Sequence, residues 1–103
     1  MSGALPVRVG ATAARAIREA SDWWRANRPK APNAFREELE RAFELIARQP
    51  TIGAPTRNVR MQGVRRILLG RVRYHVYYRV AGPPDRIEVL ALWHTSRSSG
   101  PPV

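Results

Sequence analysis

The ten residues Arg71 to Val80, RVRYHVYYRV, place guanidinium, imidazole and phenol groups at every second position: Arg71, Arg73, His75, Tyr77 and Arg79. In an extended chain successive side chains point to opposite faces, so these five share one face. Val72, Tyr74, Val76, Tyr78 and Val80 share the other, which suits a core. Arg65 and Arg66 stand just upstream. Guanidinium forks match phosphate and carboxylate oxygens in pairs, so such a face is suited to a phosphate backbone or an acidic peptide. Tyr77 lies on the basic face, where a phenol stacks on a base or donates to a phosphate, or serves simply as a strand former. His94 ends the last apolar run, with Arg97 three residues on. A histidine in that position is a structural residue, a general base or a phosphate ligand.

Other chemistries lack their parts. There is no cysteine, hence no disulfide and no thiolate site. His75 and His94 are the only histidines, with no carboxylates at ligand spacing beside them, so neither a metal nor another cofactor is expected. The segment GATAAR after the opening run lacks the second glycine and the lysine of a phosphate loop. Ser96, Ser98 and Ser99 have no neighbouring base to activate them.

The charge balance supports an anionic partner. Eighteen basic residues against eight acidic ones give a formal net charge of +10. From Leu45 to Pro84 there is no acid, while Arg48, Arg57, Arg60, Arg65, Arg66, Arg71, Arg73 and Arg79 all fall there. A field of one sign attracts phosphate backbones or acidic protein segments, although a basic surface also serves solubility alone. The longest apolar runs are about five residues, far short of the roughly 20 a membrane-spanning helix needs. No charged segment followed by an apolar one opens the chain, so a soluble cytoplasmic protein is expected.

The elements that position these residues follow from periodicity. LPVRVG (5–10) reads as an opening strand. Ala13, Ile17, Ala20 and Trp24 recur on one face of a first helix, with Trp23 at its edge, and NRPKAPN (27–33) ends it. A second helix runs from Pro32 or Asn33 to Gln49 on the stripe Phe35, Leu39, Ala42 and Ile46, with Asn33 as its N-cap. Three strand-like runs follow: 63–70, 71–80 and 85–94. Strict alternation in the last puts Ile87, Val89, Ala91 and Trp93 on one face, and Glu88, Leu90, Leu92 and His94 on the other. The expected class is α+β: a strand, an antiparallel helical hairpin, then three antiparallel strands, with the helices on one sheet face. Ile17, Trp24, Leu39, Ile46, Val76, Tyr78 and Val89 are its expected core. Residues 1–97 form one domain, and the small, polar, Pro-rich 98–103 reads as a flexible tail.

This order, together with three motifs, resembles the ParE/RelE superfamily, the toxins of bacterial type II toxin–antitoxin systems. The motifs are ELIARQPTIGAP (44–55), the arginine-rich run into YHVYYRV, and the terminal LALWHTSR. The resemblance spans Val7 to Arg97. It implies a small acidic antitoxin, ParD-like, binding in a hetero-oligomeric complex, and no membrane. It leaves the target open. ParE-like members inhibit DNA gyrase and are not enzymes in that role. RelE-like members are ribosome-dependent mRNA endonucleases. On the RelE-like alternative, His94, Arg66, Arg79 and Arg97 would be catalytic. On either, Arg65, Arg66, Arg71, Arg73, His75, Tyr77, Arg79 and Arg97 would bind partner or nucleic acid. The strands hold no lysine, and no tyrosine follows Tyr78. That departure favours the ParE-like branch. A third reading is a basic interaction module that has kept the fold and lost toxicity.

Overall fold

The computed structural model describes residues 3–57, 60–97 and 100–103. The element order is β1 (Val7–Val9), α1 (Ala11–Asn27), α2 (Ala34–Arg48), β2 (Ala54–Pro55), β3 (Arg65–Leu69), β4 (Tyr74–Ala81) and β5 (Arg86–His94). The strands form one sheet in the order β1-β5-β4-β3-β2. β3, β4 and β5 are antiparallel neighbours, as the sequence implies. β1 adds to β5 in parallel, pairing Val7 with Ile87 and Val9 with Val89, so the sheet is mixed rather than wholly antiparallel. The two-residue β2 extends the opposite edge beyond β3.

Both helices lie on one face of this sheet. Ala13 and Ala20 of α1 and Phe35, Leu39, Ala42 and Ile46 of α2 cluster with Leu69, Val72, Val76, Tyr78, Ile87, Val89 and Leu92. Ile17 and Trp24 pack against this cluster but are only half-buried. The link between the helices is held by Trp24, whose Nε1 donates to the Ala31 carbonyl at 2.9 Å. Asn33 is the N-cap residue of α2, as expected, but its side chain makes no capping bond. Leu39 sits in the middle of the α2 stripe and is 7% exposed. Leu39→Ala is expected to cost about 2–5 kcal/mol in a denaturant titration, because the cavity left behind closes only partly.

The loop after α2 is latched to the sheet from inside. The Tyr78 hydroxyl donates to the Pro50 carbonyl at 2.8 Å and accepts from the Gly53 amide at 2.9 Å. Arg65 Nη1 donates to the Thr51 and Gly53 carbonyls at 3.1 and 2.7 Å. A β-carbon on Gly53 would stand 2.6 Å from the Tyr78 hydroxyl, so the glycine of the Pro–x–x–Gly–x–Pro segment is required by this contact.

Strict alternation fails at one point in β5. Tyr77 pairs with Ala91 and Tyr78 with Val89, leaving Leu90 as an extra residue. This is a β-bulge, and it reverses the facing of everything after it. Ile87 and Val89 face the helices as expected. Beyond the bulge Leu92 takes the helix side, while Ala91 and Trp93 join Val64 and Tyr77 in a second cluster. The expectation that Trp93 shares the core face with Val89 is therefore corrected. Ser98 and Ser99 lie outside the described residues, but Pro101 is buried and Val103 packs on the second cluster. The Val103 carbonyl accepts from the Arg60 amide at 2.7 Å. The apolar patch left on the helix-free face gives the tail something to cover.

Candidate functional site

The structure divides the predicted binding residues among three places. Only some lie on the helix-free face. There the cross-strand rows are Arg66–Tyr77–Ala91 and Leu68–His75–Trp93, with Arg79–Glu88–Arg8 further along. Residues paired directly across strands share a face, which is what assembles these rows. Arg66 is exposed, with Nη1 3.4 Å from the Tyr77 hydroxyl, a marginal contact. Tyr77 itself is buried within the second cluster. Its phenol ring is therefore not available for stacking over a base.

Arg79 is engaged within the protein. Its Nε lies 3.0 Å from Glu88 Oε1, and Arg86 holds Oε2 at 3.2 Å. The hydrogen bond from Arg79 is the chief reason the Glu88 pKa is lowered. The sequence pointed to Arg79 without its partner. The hairpin register that sets Arg79 opposite Glu88 is the signal that would have found it. Arg97 lies over the Trp93 ring, 4.1 Å from its centroid, a cation–π contact.

Arg65 is on the other face. Its pairing with Tyr78 turns it toward the helices, where it serves the loop latch. Arg71 and Arg73 are not in a strand. Gly70 to Arg73 form the turn between β3 and β4, so the alternation read through Arg71 and Arg73 begins only at Tyr74. Glu38 of α2 fixes this turn, its carboxylate accepting from the amides of Arg71 and Val72 at 3.2 Å each.

His94 also takes the helix side, paired with Tyr74 and beyond the bulge. Its ring meets the Tyr74 ring edge-on at 4.9 Å between centroids. Its Nδ1 accepts from the Ser96 amide at 3.1 Å, so in the neutral ring Nε2 carries the proton. The candidate base and the candidate phosphate ligands Arg66 and Arg79 thus stand on opposite faces of the sheet.

A family model described as the ParE toxin of type II toxin–antitoxin systems, parDE, matches residues 7–99. The chain belongs to the ParE toxin family. A search of curated protein sequences gave no match. Among solved structures, the ParE-family chain resembles one in the toxin–antitoxin complex RelBE2 from Mycobacterium tuberculosis. The TM-score is 0.63 at 22% identity, over 89% of this chain and 99% of that one. At that identity the likeness is one of fold. No helix among the described residues of this ParE-family protein is long and apolar enough to cross a membrane.

The helix-free face carries a histidine, His75, in the row Leu68–His75–Trp93. Burial, and secondarily the Arg66 guanidinium, hold its pKa below the usual histidine value. The unfolded chain then binds this proton more readily than the folded one. The contribution is complete above the unfolded value, about pH 6.5, and is lost as the pH falls toward the folded-state value. Denaturant titrations at about pH 7.5 and about pH 5.5 should show lower stability at the acid pH, and His75→Gln should flatten the difference. The lowered pKa of Glu88 acts in the same direction only as pH falls through its ordinary value of 4.5, outside this window.

Proposed function

We propose that this ParE-family toxin acts in the cytoplasm by inhibiting DNA gyrase, and that a small acidic antitoxin of ParD type neutralises it. One observation carries the choice of target. The bulge at Leu90 places His94 on the helix side, while Arg66 and Arg79 face the other way and Arg79 is held by Glu88. General acid–base cleavage of RNA needs a base and an acid within hydrogen-bond reach of one phosphodiester, each worth about 10²–10⁴-fold. Of the residues suggested for such a role, Arg97 lines one pocket with His94, but Arg66 and Arg79 stand on the other face of the sheet.

The antitoxin reading rests on family membership and charge. A net charge of +10 leaves an acidic partner much to neutralise. The structural neighbour was itself solved as a toxin–antitoxin complex.

One observation favours the RelE-type alternative. His75 is held toward its neutral form on the same face as Arg66, and a neutral imidazole is a base. Expression without antitoxin decides between them. Gyrase inhibition is expected to appear as loss of supercoiling and DNA-damage signalling, with translated mRNAs intact and His94→Ala as toxic as the parent. Codon-positioned mRNA cuts on ribosomes, abolished by His94→Ala or His75→Ala, would assign the endonuclease activity instead. Unimpaired growth would point to the non-toxic module.

A further inference from the structure

A cavity of about 520 Å³ opens at the end of the sheet, between the C-terminal part of α1 and the β3–β4 turn. Trp23, Trp24 and Arg28 line it from the hairpin, Arg71 and Arg73 from the turn, and His94 from the end of β5. Among the described residues, three guanidiniums and no acidic side chain line it. The carboxylate of Glu38, which reaches the turn from α2, is occupied by the backbone amides of Arg71 and Val72. Among the described residues, neither Arg71 nor Arg73 makes an ion pair.

The aromatic walls are as notable as the charges. Trp23 is 49% exposed, which leaves part of its ring open at the cavity. The Arg28 guanidinium lies 5.3 Å from its ring centroid and 5.7 Å from that of Trp24. Two indoles with a guanidinium lying over them form a stacking surface to which a planar heterocycle can add. The turn itself adds a separate indication. Arg73 has φ of +68°, the left-handed region that glycine or asparagine occupies at less cost. An arginine kept there is a local conflict of the kind that marks functional positions.

We propose that this cavity binds a nucleotide, its base against Trp23 and its 5′-phosphates on Arg28, Arg71 and Arg73. The Nε2–H of His94 supplies a further donor among the lining residues. A carboxylate side chain of a peptide brings one charge and no ring, and would leave most of this lining unmatched. A purine nucleoside diphosphate matches both halves, and the volume lies in the range of small-ligand sites. The inference does not rest on gyrase as the target.

The test is calorimetric titration of the purified chain with ADP, with pyrophosphate, and with a 5′-phosphorylated tetranucleotide, each at fixed low salt. ADP is expected to bind at least tenfold more tightly than pyrophosphate. Trp23→Ala should remove about tenfold or more of the ADP affinity while leaving pyrophosphate unchanged. Arg73→Gly should weaken both ligands about tenfold while the thermal midpoint stays level or rises, because the backbone strain is relieved. A fall in midpoint would instead mark Arg73 as structural and count against the proposal. Tighter binding of the tetranucleotide, with the same variant pattern, would identify a strand end as the source of the nucleotide. Equal binding of ADP and pyrophosphate, indifferent to Trp23→Ala, would reduce the site to a general anion patch. So would the absence of ADP binding at millimolar concentration overturn the proposal. Displacement of ADP by an acidic peptide that binds more tightly and loses affinity with Trp23→Ala would assign the cavity to a protein partner.

Discussion

Tyr78→Ala is expected to lower the thermal midpoint by about 15–30 °C, corresponding to about 3–5 kcal/mol in a domain of this size. Tyr78 is fully buried at the centre of the main cluster. Its removal opens a ring-sized cavity among Val76, Val89 and the α2 residues that line the same core. It also releases the loop after α2, because the hydroxyl is bonded at both the Pro50 carbonyl and the Gly53 amide. Tyr78→Phe separates the two effects. It keeps the packing and leaves two backbone groups without their partner, at a cost of about 1–3 kcal/mol. Burial raises the Tyr78 pKa despite the opposing influence of the Gly53 amide and Arg65, so the phenol stays protonated and able to donate. A midpoint shift below about 5 °C for Tyr78→Ala would show that the loop and core are stabilised independently of this residue. Differential scanning calorimetry of the three proteins makes the comparison.

Association with the antitoxin is expected to slow by about 10- to 1000-fold between low and high salt, the range over which electrostatic steering is screened out. The Debye length falls from about 30 Å at 0.01 M to about 3 Å at 1 M, which is shorter than the spacing across the basic surface. The arginines that project this field are not equivalent. Arg66, Arg71 and Arg73 are exposed and make no ion pair among the described residues, whereas Arg79 is already matched by Glu88. Charge reversal at Arg66 or Arg71 should therefore reduce the association rate more than Arg79→Ala does, measured by stopped-flow at low salt. A rate insensitive to salt would remove charge steering from the encounter. Dissociation should respond less, since short-range contacts set it.

The sequence alone determined the net charge of this protein and the order of its two helices and three long strands. The two amphipathic stripes, the prolines between them and the β-rich second half specify a helical hairpin on a sheet, because each stripe must bury against something. The acid-free run from Leu45 to Pro84 was legible as a basic field without any coordinates. The motif at Pro50–Pro55 was visible, but its reason was not: Gly53 is needed because a tyrosine 25 positions later reaches it.

Tertiary structure alone decided which residues share a surface. Counting by twos assigns faces only while pairing stays regular, and the extra residue Leu90 is recognisable only against the partner strand that skips it. That single insertion moved Trp93 to the helix-free face and His94 to the helix side, dividing the proposed catalytic set. The same limit applied at Gly70–Arg73. There an alternating pattern continued through a turn, because side-chain periodicity does not report where the backbone reverses. Trp23, Arg28, Arg73 and His94 come from three elements well apart in the chain, and only the packing of α1 beside the β3–β4 turn brings them around one cavity.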